Sequence, residues 1–193
     1  MTYSDYISSL REKRINRMFL NSDSEKRKSV YRELLQCADK NLRFFAGNLC
    51  DDITNSDDFV EGISDFIEKN GNLEILLNKY DESVIKESNL YKRLAFYAAR
   101  NYNVTVKSTP VTVNIHLNGK DTPAHFAVAD FYAFRLEVDI KKRTAICNMN
   151  DEKFSQMLIK TFDKISSDSQ TVEIDLVKLF SLKPKKEEHV ENS

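Results

Sequence analysis

His125 is the residue around which chemistry could be built. An imidazole can attack an electrophile or exchange a proton near neutral pH. It opens the segment His125-Phe126-Ala127-Val128-Ala129-Asp130, so a carboxylate follows in the same run. Farther on, Cys147-Asn148-Met149-Asn150 is a second short polar segment. In an extended strand His125 and Ala127 share a face, which therefore pairs an imidazole with a methyl group and holds no cation. A bland account covers the same residues: a hydrogen-bonded strand histidine, a turn aspartate, a loop asparagine at Asn148 and a helix cap at Asn150.

Other chemistries are poorly supplied. Gly47 and Gly62 stand alone, so no glycine-rich loop can cradle a phosphate. Neither GxSxG nor HExxH occurs. His116 and His125, with Asp121 or Asp130, give two imidazoles and no third ligand at sensible spacing. No metal and no cofactor is expected. Cys37, Cys50 and Cys147 are odd in number and widely spaced, which fits reduced thiols rather than a disulfide framework.

Positioning these groups falls to an alternation of strands and helices. Residues 4–20 read as one helix, with Tyr6, Ile7, Leu10, Ile15, Met18 and Phe19 as its stripe. A second starts near residue 23, where Ser22 and Glu25 have capping-box spacing. Leu42–Ala46 reads as a buried strand. A helix capped by Asn55 or Ser56 follows, with Asp57 and Asp58 in its first turn and Asn70-Gly71 at its end. Leu73–Leu77 is a strand, 83–100 a helix, and Val104 with Val106 a third strand. This β-α-β-α-β order implies a parallel sheet. Val111, Val113, Ile115 and Leu117 then alternate with polar residues up to Asn118-Gly119, a hairpin signal. Residues 124–138 and 143–148 read as further strands, and Asn150 or Asp151 caps a last helix.

This order, with His125 in a strand after a hairpin and Asn148 in the polar segment before the last helix, resembles one unit of the phospholipase D superfamily over roughly residues 25–165. The resemblance implies an α/β fold, a mixed sheet flanked by helices, with two extra N-terminal helices. Members attack phosphorus with a motif histidine while a lysine two residues later steadies the phosphoryl oxygens. Here Ala127 stands at the lysine position and Asp130 comes earlier than the family spacing places it. The resemblance therefore implies a degenerate site, with His125, Asp130 and Asn148 as vestigial candidates lining any surviving groove. Arg135 and Glu137 alternate onto one face and are expected as a surface ion pair rather than a replacement for the lysine. Single-unit members dimerise, so a homodimer is implied. Expected domains are 1–40 (N-terminal helices packed on the body), 41–165 (the α/β unit), 166–182 (an extension) and 183–193 (a disordered tail).

The net charge of −1 supplies no global field for nucleic acid. Residues 1–43 nevertheless carry ten Lys/Arg against six Asp/Glu, and residues 51–88 carry three against eleven. Arg11, Arg14, Arg17, Lys26, Arg27 and Lys28 are the candidate nucleic-acid contacts, Arg14 and Arg17 sharing a helical face. No secretion signal and no membrane span is recognisable, so a cytoplasmic protein is expected. The leading functional expectation is a non-catalytic binding and assembly protein in a regulatory or defence-related setting. The alternatives are a phosphodiesterase or nuclease using His125, and a nucleic-acid-binding protein using the basic helices.

Overall fold

The computed structural model describes residues 1–117 and 119–183. Helix α1 (Tyr3–Glu12) opens with a reciprocal cap, in which Thr2 Oγ1 accepts from Asp5 N and the Asp5 carboxylate accepts from Thr2 N. The helix ends at Glu12, well short of the expected residue 20. Ile7 and Leu10 are buried, whereas Ile15 and Met18 are exposed, so nothing rewards extending it. Instead Phe19–Asn21 forms a short strand, β1. Phe19 packs edge-on against Tyr3 and Tyr6.

Asp23 caps α2 (Ser24–Cys37), whose Val30, Tyr31 and Leu34 face the sheet. Next come β2 (Asn41–Ala46), α3 (Asp57–Glu68) and β3 (Asn72–Leu77). Ser56 caps α3, as one of the two expected residues. At its far end Asn70, not Gly71, takes the left-handed conformation, at φ +64°. Gly71 is needed for another reason. A Cβ there would lie 2.4 Å from the Phe66 ring. The expected helix over 83–100 is two helices, α4 (Glu82–Glu87) and α5 (Asn89–Ala98). Ser88 divides them: its hydroxyl caps α5 and donates to Asn55 Oδ1.

Strand β4 (Val104–Ser108) is followed by the hairpin β5 (Asn114–Leu117) and β6 (Lys120–Pro123). Asn118, half of the expected turn, lies outside the described residues. Strands β7 (His125–Ala129), β8 (Ala133–Asp139) and β9 (Thr144–Asn148) lead to α6 (Glu152–Ser166), capped by Asp151. The chain then adds β10 (Val172–Glu173) and α7 (Leu176–Leu179). Of the expected tail, all but Lys183 lies outside the described residues.

Eight strands form one mixed sheet in the order β1-β9-β8-β7-β2-β3-β4-β10, with β5-β6 as a separate ribbon. β2, β3 and β4 run parallel, as the alternation requires. β7 joins β2 antiparallel, and β8, β9 and β1 continue the antiparallel half. The N-terminal segment and the C-terminal extension thus each add a strand to the sheet. Consecutive apolar residues serve opposite faces: Phe44 and Ile75 join the core under α2, α3 and α5, while Phe45 and Leu76 join the core under α6. The change from parallel to antiparallel pairing falls at β2, where the carboxyl ends of β2 and β3 open a crevice.

Candidate functional site

His125 begins β7 beside the carboxyl end of β2, and only 7% of it is exposed. The tight turn after β7 folds β8 back, which pairs His125 with Glu137 and Ala127 with Arg135. Strand alternation puts all four on the face covered by α2. Arg135 and Glu137 are therefore buried, at 3% and 2% exposure, and not a surface pair. The correction has a plain cause: α2 and β1 cover that face of β8, and local alternation does not show the cover.

A guanidinium consequently stands across the strand from Ala127, but its donors are committed. Arg135 Nε donates to Asn21 Oδ1 at 3.1 Å, and one Nη donates to the Tyr31 hydroxyl at 3.5 Å. The other reaches Glu137 Oε1 and the Arg143 carbonyl, both at 3.3 Å. Its planar group also lies 5.1 Å from the centre of the Tyr31 ring. Glu137 is equally engaged. Its second oxygen lies 3.3 Å from His125 Nδ1 and 3.7 Å from an Arg143 nitrogen. Burial pushes the Glu137 carboxyl up, but the His125 bond and the charges of Arg135 and Arg143 outweigh burial and hold it below the usual range. A second knot continues outward: Asp51 meets Arg27 at 3.2 Å and Arg143 at 3.6 Å. Asn21, Tyr31, Asp51 and Arg143 come from four separate parts of the chain, and no local signal in the sequence assembles them.

His125, Arg135, Glu137, Tyr31, Asp51 and Arg143 border a cavity of about 220 Å³ at the carboxyl ends of β2 and β3. Gly47 forms part of its wall. A Cβ on Gly47 would sit 3.5 Å from His125 Cε1 and 3.8 Å from Lys79 Cδ, so its hydrogen keeps the gap between them open. Lys79 lines the cavity and, among the described residues, has no ion-pair partner. A carboxylate can only accept, so a neutral His125 donates Nδ1–H to Glu137 and keeps the Nε2 lone pair. The cavity thus offers an oriented imidazole and one uncommitted ammonium group.

Asp130 and Asn148 are not among the lining residues. Asp130 follows the far end of β7. Its carboxylate accepts from the backbone N–H groups of Asp39, Lys40 and Asn41 at 2.8–2.9 Å, which fixes the start of β2. Its backbone is left-handed, at φ +50°, as the turn demands. Asn148 pairs with Phe134 across β8–β9, on the opposite face from His125, and donates to Asn16 Oδ1. Asn150 donates to the Arg14 carbonyl.

The basic N-terminal candidates are mostly neutralised within the chain. Arg11 meets buried Glu33 at 2.7 Å, and Arg27 meets Asp51. Lys26 and Lys28 pair with Asp23 and Glu25. Arg14 and Arg17 follow the end of α1 and so share no helical face. Burial pushes the Cys37 and Cys147 thiols up to about 12. Among the described residues no group of three His, Cys, Asp or Glu could hold a metal ion. Among the described residues no helix is long and apolar enough to cross a membrane.

No family model matches the sequence, and no curated protein matches it. Solved structures do match. Nuc from Salmonella typhimurium, a phospholipase D family member, superposes with a TM-score of 0.55 at 9% identity, over 82% of this chain and 98% of that one. Phosphatidylserine synthase from Haemophilus influenzae gives 0.54 at 11% identity over 85% of this chain. The archaeal chromatin protein TrmBL2, described as showing a novel mode of DNA binding, gives 0.60 at 12% identity over 88%. This chain spans 40% of the synthase and 60% of the chromatin protein. The likeness rests on backbone shape across most of the chain, and with it the chain has a phospholipase D-like fold.

Proposed function

We propose that this chain is a binding protein on a phospholipase D-like fold and that it does not hydrolyse phosphodiesters. One observation carries the reading: the two guanidinium groups beside His125 are engaged within the chain, Arg135 with Asn21, Tyr31, Glu137 and a carbonyl, and Arg143 with Asp51 and Glu137. Phosphoryl transfer needs preorganised positive charge aimed at the oxygens that gain charge in the transition state. A guanidinium locked to a carboxylate has no donor to offer there. Ala127 adds none, and Lys79 adds a single ammonium group to the lining. In this reading the cavity holds an anionic group between His125 and Lys79 over Gly47 without cleaving it. The DNA binding in the description of TrmBL2 is compatible with a nucleic-acid ligand. Self-association and a regulatory or defence-related role belong to the same reading and rest on fold analogy.

Purified protein would be incubated in EDTA with labelled single- and double-stranded DNA and RNA, and the samples split between native and denaturing gels. A shift that weakens in Lys79→Ala and Gly47→Val, with intact strands on the denaturing gel, is expected. Cleavage abolished in His125→Ala would overturn the reading. It would favour the second one, a phosphodiesterase, whose support is the Glu137 carboxylate that orients the His125 ring.

A further inference from the structure

Just before β5 the chain passes α6 with one side of its backbone open. Val111 and Val113 pack on the core under α6 while Thr112 is exposed, the alternation of an extended chain. The Ala124 N–H donates to the Val113 carbonyl, which carries the β5-β6 pairing one step further. Neighbouring residues in such a ladder turn their N–H and C=O groups to opposite sides. Thr112 therefore turns its own pair away from β6, and among the described residues neither group bonds to another backbone group. This is an unpaired strand edge. Between residues 111–113 and α6 lies a groove of about 510 Å³. Around α6 its wall climbs from buried Ile165 through half-buried Thr161 to the exposed Lys160, Lys164 and Met157, the last 57% exposed. Among the described residues neither Lys160 nor Lys164 has an ion-pair partner.

We infer that this groove takes an extended segment of a partner protein in which apolar and acidic residues alternate. Added to the open edge at Thr112, such a strand gains backbone hydrogen bonds, and its alternate side chains supply the selectivity. One set of side chains drops toward Ile165 and Thr161. The other rises to the rim, where Lys160 and Lys164 stand. Side chains two residues apart on a strand face are separated by about 7 Å. Two lysines one turn apart on a helix are separated by roughly 6 Å along its axis, so successive carboxylates of the strand meet both. Nucleic acid suits the groove less well. Its apolar floor offers phosphates nothing, and Glu152 and Asp163 share the exposed side of α6 with the lysines. The groove lies on the α6 face of the sheet, opposite the face that carries His125, and does not depend on how that cavity is read.

The test is fluorescence anisotropy of the full chain with a labelled peptide of four Val-Asp repeats. An isomer with its valines and aspartates in separate blocks serves as the control. Saturable binding of the alternating peptide, and much weaker binding of the isomer, is expected. Lys160→Glu with Lys164→Glu should weaken that binding about tenfold. Thr112→Pro, which removes the N–H from the open edge, should weaken it about fivefold. All three side chains are exposed, so an unchanged unfolding midpoint is expected for the lysine variant, which keeps the test decisive should the proline variant not fold. The inference is overturned if the alternating peptide shows no saturable binding, if the isomer binds equally well, or if binding is unmoved by the lysine variant. Labelled single-stranded DNA that binds where the peptide does not, and is released by the lysine variant, also overturns it and makes α6 a nucleic-acid surface.

Discussion

The two ends of β7 show two uses of an ionisable side chain. At its start, His125 faces a cavity and touches a carboxylate whose charge is shared among three partners. Just past its end, Asp130 does not line that cavity and accepts three backbone N–H groups. In the sequence the two belong to one six-residue run. In an extended strand their backbones stand about 16 Å apart, so they cannot act on one ligand atom. One end keeps an oriented but uncommitted Nε2; the other has every acceptor directed at holding β2 in register.

Substitutions can break this contrast. Asp130→Ala should have the largest effect. It orphans three partly buried donors and leaves a Cβ-bearing residue at positive φ, at a cost of roughly 4–5 kcal/mol in chemical denaturation. Asp130→Asn should cost less, because asparagine accepts bonds and tolerates that backbone. Arg135→Met leaves the buried Glu137 with only His125 and the more distant Arg143, and should cost about 3 kcal/mol. The double variant Arg135→Met/Glu137→Leu should recover much of the loss, which a double-mutant cycle would read as coupling. His125→Ala should cost only about 1 kcal/mol, because Glu137 keeps Arg135 and Arg143. Loss of ligand binding without loss of fold at His125 is the sharpest separation of the two ends.

Acid sharpens the comparison further. Glu137 has a folded pKa below its unfolded value, so its contribution is complete above the ordinary glutamate range, about 4.3. It fades as pH falls toward the lower folded value. The stability gap between wild type and Glu137→Gln should therefore be constant near neutrality and shrink steadily below about pH 5. A gap that widened in acid would contradict the charge network.

Much of the fold was legible in the residues because its signals are local. The stripe Phe59, Val60, Ile63, Phe66, Ile67 marks α3, and the short apolar runs around Phe44 and Ile75 mark β2 and β3. The expected first helix runs too far because Ile15 and Met18 continue the stripe of α1 into a segment where both side chains are exposed. β1 leaves no trace in the sequence, because three residues carry no periodicity and their partner, β9, lies more than 120 residues away. The site follows the same rule. His125, its face-mate Ala127 and the shared face of Arg135 and Glu137 could be read from alternation. Their burial could not, since it comes from Tyr31 on α2 and Asn21 on β1. Asp130 shares only the run with His125, and Asn148 only the place before α6; neither lines the cavity, and alternation turns Asn148 to the other face.

Trapping the covalent intermediate tests the central claim most directly. A phosphodiester labelled at phosphorus would be mixed with the protein in EDTA, and the reaction quenched in alkaline denaturant, where phosphohistidine survives. The account predicts no protein-bound label above that of His125→Ala, over times at which a bound oligonucleotide stays intact. Label that maps to His125 and disappears in His125→Ala would contradict it, and would mean that Arg135 or Lys79 does supply the charge the chemistry needs.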